Sequence, residues 1–75
     1  MGYIKEEITN DDFEFTIMVE EPAEDETVEV GEIISLSFDG NFRSYTPDAL
    51  IDFGKWIIEQ AERVKKEYNE NGVKV

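Results

Sequence analysis

Seven carboxylates fall within thirteen residues: Glu20, Glu21, Glu24, Asp25, Glu26, Glu29 and Glu32. Acidic side chains at this density can support three kinds of chemistry. They can collect a divalent cation, serve as an acid/base pair, or present negative charge to a basic surface.

The chain lacks most of what catalysis needs. It has no His and no Cys, so the commonest general base and the activated thiol are both missing. A carboxylate pair could work as in glycosidases, but 75 residues leave no room for a substrate cleft beside a core. Asp52 is the one carboxylate in a strongly apolar stretch, and its phase puts it on the polar side of a helix. We therefore expect a protein that is not an enzyme and holds no cofactor.

The metal reading also weakens on inspection. Asp39-Gly40-Asn41 begins like a calcium loop, but position 12 of that count is Leu50 where an EF-hand needs Glu. The cluster from Glu20 to Glu26 could gather Ca²⁺ or Mg²⁺ only loosely, and a solvated loop accounts for it better. No glycine-rich phosphate loop is present. The basic grouping Arg63, Lys65 and Lys66 is interleaved with Glu62 and Glu67, as on a solvated helix face.

What remains is electrostatic presentation. The chain carries 19 acidic and 7 basic residues, a net charge of −12. Residues 1–42 hold 13 acidic residues and a single Lys, for −12; residues 43–75 hold 6 of each sign, for 0. No basic residue occurs between Lys5 and Arg43. Such a field repels nucleic acid and anionic membranes and attracts basic protein surfaces. Duplex DNA presents about one charge per 1.7 Å of axis, so a dense carboxylate row can imitate part of its backbone. The competing explanations are solubility and protection of a strand edge.

These groups must be positioned by a small α+β domain spanning residues 1–75. Tyr3 to Ile8 is a candidate strand, and Thr9-Asn10-Asp11-Asp12 a turn-rich loop. Phe13 to Glu20 alternates, with Phe13, Phe15, Ile17 and Val19 on one face and Glu14, Thr16, Met18 and Glu20 on the other. Pro22 and its acidic neighbours break that strand. Thr27 to Phe38 is a second alternating stretch, with Val28, Val30, Ile34, Leu36 and Phe38 of one parity. Gly31-Glu32 should bend it, because Glu32 would otherwise point inward. Asp39-Gly40-Asn41 marks a tight turn before a short strand, Phe42 to Tyr45. Thr46-Pro47-Asp48 is a helix start, with Thr46 as N-cap, and the helix should run to about Asn71 with Gly72 as its stop.

The expected architecture is a three- or four-stranded antiparallel meander with one long C-terminal helix packed on one face. Phe13, Phe15, Ile17, Val19, Leu36 and Phe38 should meet a helix stripe of Leu50, Phe53, Gly54, Ile57, Ala61, Val64 and Tyr68. Gly54 should mark a close approach, and Glu59–Arg63 and Glu62–Lys66 should pair along the helix. Ile51, Trp56 and Ile58 lie outside the stripe, while Met18 and Ile33 fall on the opposite sheet face.

Two binding surfaces follow. The acidic patch comprises Glu14, Glu20, Glu21, Glu24, Asp25, Glu26, Glu29 and Glu32. The apolar surface comprises Ile51, Trp56 and Ile58 and serves a partner or a homodimer. In size, charge and lack of catalytic residues the chain resembles small phage-encoded inhibitors of the anti-restriction and anti-CRISPR type, which imitate DNA. That resemblance rests on no motif and transfers no residue roles. It implies an inhibitor or adaptor seated in a basic site of a nucleic-acid enzyme, in the host cytoplasm. The alternative is a structural or oligomerising module that uses the helix margin. The start, Met1 to Glu7, has no apolar run of a signal peptide, and no stretch is long and apolar enough to span a membrane.

Overall fold

Alternation makes Phe15–Glu21 the central strand of the sheet. The computed structural model describes residues 3–22, 29–38 and 44–75. Its elements are β1 (Tyr3–Asn10), β2 (Phe15–Glu21), β3 (Ile34–Phe38) and α1 (Pro47–Glu67). The three strands form an antiparallel sheet in the order β1-β2-β3, giving the expected α+β arrangement. The expected strand Phe42 to Tyr45 lies mostly outside the described residues; Ser44 and Tyr45 carry no strand.

Register assigns the faces, because residues paired across antiparallel strands share a face. Ile17 pairs with Ile8 on one side and Leu36 on the other, and Val19 pairs with Glu6 and Ile34. Glu6, Ile8, Phe15, Ile17, Val19, Ile34, Leu36 and Phe38 therefore share the inner face. The register of β1 shifts between Ile4 and Glu6, a bulge that turns Glu6 inward.

The chain bends where the sequence indicates. Glu32 N–H donates to the Glu29 carbonyl at 3.1 Å, Ile33 N–H donates to the Gly31 carbonyl at 2.9 Å, and Gly31 takes φ +93°. Such a positive φ suits a residue without Cβ. The bend also changes the strand. β3 begins only at Ile34, and Val30 is 78% exposed rather than continuing the inner face. Ile33, expected on the far face, is swung into the core and is only 7% exposed.

The helix start follows the sequence. Thr46 Oγ1 accepts from the Ala49 N–H at 3.0 Å, Pro47 opens the first turn, and Asp48 lies in it. The helix end does not. It stops at Glu67, with Tyr68 extended at φ −125°. From there the tail folds back, as Asn69 N–H donates to the Val73 carbonyl at 2.9 Å and Val75 N–H to the Glu67 carbonyl at 2.8 Å. Gly72, at φ +76°, sits against the backbone of Glu20 so closely that a Cβ would overlap the Glu20 carbonyl oxygen. It is the close-approach glycine of this fold. Gly54, expected in that role, has nothing within 4 Å of a built Cβ.

Packing is split into two clusters. Val19, Ile33, Val64 and Tyr68 form the buried core, with Ile8 against it. At the other end of α1, Phe13 stacks on Phe53 (ring centroids 4.1 Å) and on Tyr45 (4.6 Å), while Phe15 meets Phe53 edge-on at 5.3 Å. Phe13 thus packs inward from the turn before β2, not from the strand.

Candidate functional site

The helix sits over one side of the sheet, and two polar contacts set its rotation. Arg63 donates to Glu6 at 2.8 Å and to Glu67 at 2.5 Å. The Tyr68 hydroxyl donates to Glu6 at 2.9 Å. Hydrogen bonding from the Arg63 guanidinium holds the Glu6 carboxyl below its ordinary pKa; burial opposes this, and Tyr68 adds to it. The Glu6 hydrogen bond raises Arg63 in turn. Burial, then Glu6, raises the Tyr68 phenol. Arg63 was expected to pair with Glu59 on a solvated face. It is instead half-buried and ties the helix to β1.

This rotation corrects the expected stripe. Val64 and Tyr68 are buried and Phe53, Gly54 and Ile57 half-buried, but Leu50 is 59% exposed. Leu36 and Phe38 should have lain under the helix, yet they are 64% and 58% exposed. Ile51 and Ile58 are exposed as expected, on the flank that turns away from β1. Trp56 is not part of that flank: it is half-buried and its ring lies parallel to Phe53 at 6.0 Å. At about 100° per residue it is some 200° around the helix from Ile58, so Ile51, Trp56 and Ile58 do not form a single surface.

The open apolar surface is therefore larger than the helix margin alone. Leu50, Ile51 and Ile58 of α1 are exposed, and so are Ile34, Leu36 and Phe38 of β3. Ile34 also lines a cavity of about 320 Å³ together with Ile33, Ala61, Val64 and Lys65, among others. Leu36 and Phe38 could have been suspected from the sequence only by knowing that β3 is an edge strand.

The acidic patch is partly assembled. Glu24, Asp25 and Glu26 lie outside the described residues. Glu20 accepts from the Ser35 hydroxyl at 2.8 Å, and Glu21 pairs with Lys5 at 3.2 Å. Glu32 accepts from the Glu29 N–H at 3.3 Å. Glu21 and Glu29 border a cleft of about 210 Å³ together with Glu70 from beyond the helix. Glu70 is a carboxylate that sequence reasoning missed; its signal was Gly72, which folds the tail back onto β2. Glu14 does not join this group. It sits in the turn at the opposite end of β2, half-buried at φ +51°, and six strand residues put it roughly 20 Å from Glu20.

Among the described residues no group of three or more carboxylates is placed to hold a metal ion, and no helix is long and apolar enough to cross a membrane. Comparison of the chain with protein-family models, with curated proteins and with solved structures finds no match.

Proposed function

We propose that this protein is a non-enzymatic binder whose carboxylates engage a basic protein surface, acting as an inhibitor or adaptor where that surface would otherwise hold nucleic acid. The observation that carries this reading is the gathering of acidic side chains from separate segments at one end of the fold. Glu21 closes β2, Glu29 precedes β3 and Glu70 follows α1, yet all three border one cleft. Local cations do not cancel the field. Lys5 offsets only Glu21 of the three, Arg63 is engaged with Glu6 and Glu67, and the chain as a whole carries −12. A field of this kind accelerates encounter with a basic groove and weakens as salt rises.

The test begins with capture of partners at low ionic strength. The captured protein is then titrated with wild type and with a Glu21→Gln/Glu29→Gln/Glu70→Gln variant across 50–300 mM salt. The expected partner binds nucleic acid, releases this protein when duplex DNA is added, and binds the triple variant at least tenfold more weakly at the lowest salt. Binding that ignores salt, or that tolerates duplex DNA in the same complex, removes the reading.

A further inference from the structure

We propose that β3 is a self-pairing edge, through which two copies of this chain join antiparallel across a two-fold axis at Leu36 to form a continuous six-stranded sheet. This inference is independent of the acidic-binder reading and rests on other residues.

Edge strands expose a row of unpaired backbone donors and acceptors, and proteins usually blunt them with charge, proline or bulges. The opposite edge, β1, has both Lys5-Glu6-Glu7 and a register shift. Among the described residues no strand pairs with the outer edge of β3, and the strand itself has none of these protections. It reads Ile34-Ser35-Leu36-Ser37-Phe38, five consecutive uncharged residues in a chain where 35% are charged. Its pairing with β2 is regular over all five.

A second copy fits this edge for three reasons. The strand is close to palindromic in character. With Leu36 opposite Leu36 of the second copy, Ile34 faces Phe38 and Ser35 faces Ser37, so apolar meets apolar on the inner face and hydroxyl meets hydroxyl on the outer. The same register brings the second copy's Phe38 beside Ile34, at the mouth of the cavity of about 320 Å³. A volume of about 150 Å³ suffices for a benzene ring, so this open cleft, which Lys65, Asn69 and Glu70 also line, has room for that of Phe38. Area gives the third reason. Leu36, Phe38, Leu50, Ile51 and Ile58 are each 54–64% exposed and Ile34 40%. Together they leave on the order of 500 Å² of apolar surface per copy, within the range of the largest patch on a typical monomer, which is often a functional contact, and short of the roughly 800 Å² per partner of a standard interface. The pair should accordingly be reversible, with a dissociation constant in the micromolar range. Two bodies of −12 repel at long range, so the association should strengthen as salt screens them. That is the opposite salt response to binding of a basic partner, so the two proposals cannot be mistaken for each other.

The experiment uses the absence of native cysteine. Single variants Ile34→Cys, Leu36→Cys and Phe38→Cys are oxidised separately and in mixtures, and checked by circular dichroism for wild-type folding. Cβ atoms of directly opposed residues lie about 4.5–5.5 Å apart, near disulfide range. Leu36→Cys should cross-link with itself, and Ile34→Cys should cross-link only when mixed with Phe38→Cys. Sedimentation of wild type should show a dimer that gains at least threefold in affinity between 50 and 500 mM salt. Leu36→Glu should abolish it without loss of helix signal; if that variant fails to fold, Ser37→Pro at the same edge replaces it. A strict monomer at several hundred micromolar and high salt overturns the proposal. So does a dimer that survives these variants, or cross-linking that is equal at all three positions.

Discussion

Edge strand β1 carries Lys5, Glu6 and Glu7 and a register shift, whereas edge strand β3 is five uncharged residues in regular register. Both flank the same central strand, and the helix treats them differently. Over β1 it is fixed by Arg63 and Tyr68 on Glu6. Over β3 it leaves Leu36 and Phe38 more than half exposed. The difference shows how one polar cluster can decide which part of an apolar face is buried. Three apolar residues of β3 offer the helix more hydrophobic area than β1 does, yet Glu6 would lose its charged partner if the helix slid toward them. An unpaired half-buried carboxylate costs more than the area gained from one or two partly exposed side chains.

The largest expected effect comes from breaking the fastening that holds the helix end on this side. Gly72 lets the tail pass against the Glu20 backbone in a left-handed conformation. Gly72→Ala should cost about 3 kcal/mol, since it adds a backbone overlap to a disfavoured φ. Urea unfolding of Gly72→Ala beside Asn71→Ala checks this, because Asn71 is an exposed neighbour whose substitution should cost about 0.5 kcal/mol. Equal costs would mean that the tail does not secure the helix.

A matched pair of truncations tests the two halves of the inner face directly. Val19 is fully buried and Leu36 is 64% exposed, although both lie on that face. Val19→Ala should cost about 2 kcal/mol through lost contacts and a residual cavity. Leu36→Ala should cost about 0.5 kcal/mol when measured at low micromolar concentration. If the Leu36 cost grew with protein concentration, the missing cover would be a second copy.

How much of this was legible in the sequence depends on the range of the signal. Thr46-Pro47-Asp48, the alternation read over Phe13 to Glu20 and the break at Gly31 act within a few residues; the cap and the break appear where they were read, and the strand runs from Phe15 to Glu21, with Phe13 and Glu14 in the turn before it. The facing of the helix is different in kind. Apolar periodicity placed its centre at Leu50, but Glu6 and Arg63, 57 positions apart, rotate it toward β1. No local window contains that pair. The helix also ends at this cluster, where the extended Tyr68 places its hydroxyl on Glu6. The acidic patch was legible as a run of residues. Its three-dimensional membership was not, because Glu70 joins and Glu14 departs through turns whose geometry depends on tertiary contact.

Removing the cation tests the lock itself. Arg63→Met keeps much of the aliphatic stem and leaves Glu6 without its guanidinium. Because both side chains are about a third exposed, water compensates in part, and the loss should be about 1 kcal/mol. Lys5→Met removes the other β1 pair, Lys5–Glu21, where the Glu21 side chain is 45% exposed. Its cost should be under about 0.5 kcal/mol. A denaturation series that reversed this order would mean that the bulge, not the lock, orients β1.

The smallest effect, and the most specific, is the response to pH. Glu6 has its pKa lowered in the fold, first by the Arg63 hydrogen bond. Its contribution is therefore complete above the unfolded value near 4.5 and fades as pH falls through the lower folded value. Tyr68 is raised in the fold, first by burial. Its contribution is complete below the unfolded value near 10 and is lost as pH climbs through the folded one. Acidification also protonates the remaining carboxylates and relieves the repulsion of a −12 chain, which acts in the opposite direction and masks the Glu6 loss in wild type. The difference between wild type and Glu6→Gln removes that shared background. Plotted against pH, it should be flat from 6 to 8 and shrink below 4.5. The corresponding difference for Tyr68→Phe should narrow above 10. A Glu6→Gln difference that stayed constant down to pH 2.5 would mean that the carboxylate charge plays no part in holding the helix over β1, leaving shape alone to explain why β3 is uncovered.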